Sequence, residues 1–296
     1  MTGAEDISEP GYDWDFLSQS EGEAVETLIE QNRDSSWAAQ LFDKLARAGG
    51  VRRENKATMF ELRFAAAVAR AGIELQYEVP GEGESTIDFG FEAGGVSWAV
   101  ELMRLDETDA AKAATVTARD EEGAVWSQRI LSDTREDKRQ TEGGETLKAI
   151  QRICQKCELD GRPHKFKSPH EAFNILLVDV RTLFNGGDKA DRLHIALGAM
   201  AVPGCFRQQF RGNPVTGVFD EATTLKGAKE ARERIHFIGF VEEREFGPDA
   251  FGPSIQFVAN PYLFNDEESA RAAIGAWPLK PAAVLNLRGE HSGGKA

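Results

Sequence analysis

A chain of 296 residues can bury a full core, and 41% hydrophobic with 28% charged residues is an ordinary globular composition. The formal net charge of −14 argues against a protein that coats nucleic acid nonspecifically. No apolar run approaches a membrane span and the acidic start lacks a secretory pattern, so the expectation is a cytoplasmic protein with no membrane partner.

Residues 1–20 read as an acidic leader: residues 1–30 hold nine Asp or Glu and no Lys or Arg. Such a segment is a solvated tail or a cover for a basic groove or partner. Residues 21–54 read as a helical N-terminal extension of two helices. Ala24, Leu28 and Ile29 mark the first, and Trp37, Leu41, Leu45 and Ala46 the second, with a capping break at Asp34-Ser35-Ser36.

The stretch Asn55–Leu105 predicts one helix followed by three strands. Phe60, Phe64, Ala67 and Ala71 recur at helical spacing, and Glu61 sets a carboxylate beside that apolar face. In the following strands Ile87, Phe89 and Phe91 alternate with Asp88 and Gly90. Val96, Trp98, Val100 and Leu102 alternate with Ser97, Ala99, Glu101 and Met103. Gly94-Gly95 suits a tight hairpin turn between these two runs, which would bring Asp88 and Glu101 to one side of neighbouring strands. Paired carboxylates repel unless a cation separates them, and hard oxygen ligands suit Mg²⁺ or Mn²⁺.

This helix, hairpin and Asp-x12-Glu-x-Met arrangement resembles the PD-(D/E)XK nuclease superfamily. The resemblance implies an α/β fold: a mixed central sheet flanked by helices, with a restriction-endonuclease-like core spanning 55–288 and its C-terminal elaboration. It also implies a divalent-metal-dependent nuclease, with Asp88, Glu101 and Glu61 at Mg²⁺ or Mn²⁺ and DNA ahead of RNA as the substrate. The chain departs from the pattern at Ile87, where the family often has Pro, and at Met103, where it has its catalytic lysine. Methionine can neither orient water nor stabilise charge on a phosphate, so a nuclease fold that has lost its chemistry and acts as a binding or regulatory module is the alternative. A homodimer or a protein partner stays open.

Leu105–Ala118 reads as a helix whose start would set Arg104 and Lys112 near a bound phosphate. The charged segment 119–144 reads as a helical arm or a lid. In Glu145–Glu158, Leu147, Ile150, Ile153, Cys154 and Cys157 form one apolar helical stripe, and Glu145, Lys148, Arg152, Gln155 and Lys156 gather opposite it. Some members of the superfamily carry their catalytic lysine on a helix, which makes Lys148 the candidate for the missing lysine, with Gln151 and Lys156 behind it. Cys154 and Cys157 have metal or redox spacing but lie on the apolar side. The basic loop 162–167, with Lys165 and Lys167 around Phe166, suits a phosphate backbone.

Further along, 173–180 predicts a buried strand, 191–200 a helix, 215–219 a strand and 225–234 a helix. Strands at 235–241 and 257–259 and a helix at 267–274 follow, with His236 a structural histidine and 289–296 a disordered end. No Gly-rich nucleotide loop or serine nucleophile elbow is present in the sequence.

Overall fold

The computed structural model describes residues 17–106, 108, 111–112, 114–119, 125–129, 141–183, 187–198, 216–264 and 266–285. The acidic leader through residue 16 and the tail at 289–296 lie outside them, as does the stretch 199–215.

Three helices open the fold: α1 (Gln19–Gln31), α2 (Ala38–Arg47) and α3 (Lys56–Arg70). Ser18 starts α1 by accepting a hydrogen bond from the Glu21 N–H at 3.1 Å. Three strands follow, β1 (Leu75–Pro80), β2 (Thr86–Ala93) and β3 (Val96–Arg104), joined antiparallel in that order. Next come a separate hairpin of β4 (Thr115–Arg119) and β5 (Val125–Arg129), helix α4 (Glu142–Gln155), and the two-residue strands β6 (Glu158–Leu159) and β7 (Arg162–Pro163). Strand β8 (Phe173–Asp179) returns beside β3 in parallel. Helices α5 (Lys189–Leu197) and α6 (Ala228–Arg234), strands β9 (Phe237–Val241) and β10 (Ile255–Ala259), helix α7 (Glu267–Ile274) and β11 (Ala283–Leu285) complete the described chain. The result is a mixed α/β fold around a seven-stranded sheet of order β1-β2-β3-β8-β9-β10-β11.

Helix α3 explains its own alanine-rich sequence. Phe60, Phe64 and Val68 join the core on one face of the sheet, with Phe89, Phe91, Trp98 and Val100. Met59 and Leu62 point the other way, into a smaller cluster with Val25 of α1 and Leu45 of α2. A helix covered on both sides needs small residues where its neighbours come close. The opposite sheet face is covered by α4, α5 and α6, whose Ile150, Ile153, Leu193 and Ala231 pack with Met103, Leu176 and Phe240.

Several sequence expectations change. Leu105–Ala118 is not one helix, because Thr115–Arg119 forms β4. The arm at 119–144 includes strand β5, and α4 starts only at Glu142. Residues 216–219 form turns and no strand, although Val218 and Phe219 are buried. Ile87 does not share a face with Phe89 and Phe91: it packs with Ala99 and Met103 on the α4 side. Its β1 partner Val79 packs on that side too, whereas Tyr77, opposite Phe89, packs on the α3 side. Between them Glu78 takes φ 52°, a left-handed conformation that breaks the alternation of the strand and lets one hairpin contribute to both cores.

Candidate functional site

The β2–β3 register runs from Ala93↔Val96 to Phe89↔Val100. Beyond it, the Asp88 side chain takes over from the backbone: its Oδ2 accepts a hydrogen bond from the Leu102 N–H at 2.7 Å. Asp88 is thereby fixed at the place where β1 and β2 change faces. Burial, then the charges of Glu101 and Glu61, push its carboxyl up to about 7, against the opposing effects of the Leu102 N–H and Lys156.

Glu101 lies on the α4 side of β3 and is fully buried. Two cations meet it. Lys156, just past the end of α4, donates a hydrogen bond to Oε1 at 2.7 Å, and Lys165 Nζ stands 3.2 Å from the same oxygen. The other oxygen, Oε2, is buried and has no hydrogen-bond partner in the structure. Burial pulls the Lys156 pKa down, but Glu101, Asp88 and Glu61 together raise it above the ordinary lysine value, so this side chain is an ammonium ion at neutral pH.

Glu61 is held on the α3 side. Lys44 of α2 donates to its two oxygens at 3.0 and 2.9 Å, and the Tyr77 hydroxyl donates to Oε2 at 2.9 Å. Burial, Glu61 and the hydrogen bond to it keep the Tyr77 hydroxyl protonated far above its ordinary range. Glu61 is therefore near enough to act on Asp88 electrostatically, but its oxygens are engaged by its own partners. Among the described residues, no group of three His, Cys, Asp or Glu side chains is placed to hold a metal ion.

The sequence pattern points to Lys148 at the strand carboxylates, whereas the lysines at Glu101 in the structure are Lys156 and Lys165. Lys148 Nζ pairs with Glu145 on its own helix at 3.1 Å and lies eight residues, about 12 Å of helix rise, from Lys156. Met103 is buried in the apolar core. Gln151 lines a groove with Lys148, Arg152, Asp106 and Thr108 and does not reach Glu101 in the structure. Arg104, only 8% exposed, faces Asp179 and Asp106 in a separate ion cluster. Lys167 lines a trough of about 610 Å³ on the β1–β3 hairpin, together with Gln76, Gly90, Ser97 and Ala99.

The basic loop is built around Lys165. It takes φ 67°, which costs a non-glycine residue about 1–2 kcal/mol. Its carbonyl accepts from Glu82 N–H at 2.9 Å and its own N–H donates to Ser85 Oγ at 3.0 Å, tying the loop to the β1–β2 turn. The adjacent Phe166 is fully buried, and Arg234 donates to its carbonyl at 2.9 Å. Gly81 permits this approach, since a Cβ there would lie 2.5 Å from the Lys165 oxygen.

Compared with known proteins, the chain matches no family model, no curated protein and no solved structure. Among the described residues, no helix is long and apolar enough to cross a membrane.

Two other sequence features are structural. Cys154 and Cys157 are buried, and burial pushes the Cys154 thiol up to about 12 and that of Cys157 well above its ordinary value. His236 accepts from Asn174 N–H at 3.0 Å through Nδ1 and stacks on Phe173 with ring centroids 3.8 Å apart. Sequence reading missed a buried ion cluster in which Glu21 of α1 meets Arg63 at 2.8 Å, Arg181 at 3.0 Å and Lys56 at 3.6 Å. Arg63 also donates to Glu243 at 2.7 Å, and Arg181 pairs with Asp179 at 2.7 Å. Glu21 lies 160 residues from Arg181, too far for any local pattern to signal the contact.

Proposed function

We propose that this protein is a phosphodiester hydrolase acting on nucleic acid, DNA in the first instance, with Mg²⁺ or Mn²⁺ held by Asp88 and Glu101. The observation that carries the reading is Lys156: an ammonium ion at the C-terminal cap of α4, hydrogen-bonded to the β3 carboxylate on the same side of β3 as the Met103 that stands in the motif lysine's place.

The donor set fits such a cation. Magnesium is commonly bound by only one or two carboxylates, with water and substrate phosphate filling its other positions. Glu101 offers a buried oxygen with no hydrogen-bond partner, and burial together with the charges of Glu101 and Glu61 raises the pKa of the adjacent Asp88. Glu61 is left out of the ligand set by its engagement with Lys44 and Tyr77, and serves as a neighbouring negative charge. A bound divalent ion supplies charge neutralisation at the phosphate and a water of lowered pKa. Lys156, being protonated, cannot take a proton from that water; it stabilises negative charge gathering on the phosphate oxygens and holds Glu101 in place. The order α3, three antiparallel strands, α4 and then β8 parallel to β3 also supports the PD-(D/E)XK reading of the fold.

A second reading, a nuclease-like fold that binds without cutting, draws on Met103 in the core and on the two lysines that already balance Glu101. One experiment separates the two. Purified protein is incubated with single- and double-stranded DNA and RNA in Mg²⁺, Mn²⁺ or EDTA, alongside Asp88→Asn and Lys156→Ala. Cleavage that needs metal and is lost in both variants is the expected result. Nucleic-acid binding without cleavage under any metal would overturn the hydrolase in favour of the binding module.

A further inference from the structure

One ammonium ion balances Glu101, yet two are present. Lys156 is the hydrogen-bond donor, and Lys165 stands farther off on the same oxygen. Lys156 comes from the end of an ordinary helix. Lys165 is delivered by a residue in left-handed backbone, pinned by Glu82, Ser85, the close approach of Gly81 and the buried Phe166. Backbone strain of this kind persists only where the surroundings over-determine it, and it gathers at sites where a side chain must be held in one position. Neutralising Glu101 does not require that construction.

We propose that Lys165 is a second phosphate-binding lysine, whose ammonium group takes a non-bridging oxygen of the phosphodiester while Lys156 retains Glu101. The assignment rests on the phosphodiester reading above and gives Lys165 a place at the reacting phosphate; a distant stretch of backbone is not its target. Nitrogen at 3.2 Å from a buried carboxylate oxygen needs only a small rotation of a flexible four-carbon stem to exchange one anionic oxygen for another. No covalent bond is made or broken at Lys165.

The residue's own geometry provides the test. Glycine adopts a positive φ without penalty, so Lys165→Gly removes the ammonium group while relieving the backbone, and Lys165→Asn does so with a residue that tolerates the same conformation. The probe is a fluorescently labelled single-stranded deoxyoligonucleotide, titrated in EDTA over a range of salt concentrations, so that binding is read without turnover. Both variants are expected to bind about tenfold more weakly, with a salt dependence shallower by about 0.7 in log–log slope, and to melt no lower than the parent protein. Lys165→Arg should restore most of the affinity. Unchanged affinity and slope in the Gly and Asn variants would overturn the proposal, as would a parent protein that does not bind the oligonucleotide. Metal-dependent cleavage and its loss in Asp88→Asn report on the hydrolase separately: a protein that binds through Lys165 but never cuts would overturn the place at a reacting phosphate and leave Lys165 a phosphate contact of a binding module.

Discussion

Lys156 Nζ donates a 2.7 Å hydrogen bond to Glu101 Oε1 across 55 residues of sequence. A preorganised ammonium group beside a transferring phosphate is worth roughly 10²–10³ in rate. Lys156→Ala should therefore lower single-turnover cleavage by about that factor, while Lys148→Ala, whose parent side chain pairs with Glu145, should stay within about twofold. Equal losses in the two variants would return Lys148 to the site and dismiss the geometry.

Divalent cations should stabilise the folded chain. For a ligand at about tenfold its Kd the gain is about 1.4 kcal/mol, visible as a rise in melting temperature with added Mg²⁺ or Mn²⁺. Asp88→Asn and Glu101→Gln should abolish the rise, and Glu61→Gln should retain it because Glu61 is engaged by Lys44 and Tyr77. A shift that survives in Asp88→Asn would place the ion elsewhere.

Acid should weaken the fold through His236. Burial, then the charge of His170, lowers its pKa to about 4 from an ordinary 6.5. Between those two values the unfolded chain binds a proton that the folded chain does not, so stability falls as pH drops from 6.5 and levels off below about 4. The full penalty is on the order of 3 kcal/mol. Urea titrations across that window should show a clearly flatter profile for His236→Gln; an unchanged profile would assign the acid sensitivity to other groups.

The Glu21 cluster should be intolerant of truncation. Burial acts to raise the Glu21 pKa, but Arg63, Arg181 and Lys56 hold it below the usual carboxylate range. Glu21→Ala would leave these cations without their shared carboxylate, at a cost of about 3–5 kcal/mol. Chemical denaturation reads this directly, and a loss below about 1 kcal/mol would show that water or the neighbouring Glu243 takes over.

Periodicity carried α3, the β2–β3 hairpin and α4, and β8 showed as a short continuous apolar run bounded by charge. It could not choose among Lys148, Arg152 and Lys156, which follow one another at four-residue intervals on one helical face. Which of them meets Glu101 depends on how far α4 slides along β3, a tertiary quantity. The Ile87 expectation failed for a different reason: Glu78 in left-handed backbone has no signature in the alternation of its neighbours. Strand β4 did announce itself, in the β-branched run Thr115-Val116-Thr117, which was outweighed by the alanines around it.

The tie between the Lys165 loop and the β1–β2 turn bears on how the charges around Glu101 come to share one place. A chain still being synthesised carries both strand carboxylates before residues 156 and 165 exist. Lys156 and Lys165 both reach Glu101 from the segment that joins β3 to β8. The acidic half of this cluster is thus carried by the β2–β3 hairpin and its basic half by the crossover to β8, so the cluster exists only where the crossover is docked on the hairpin.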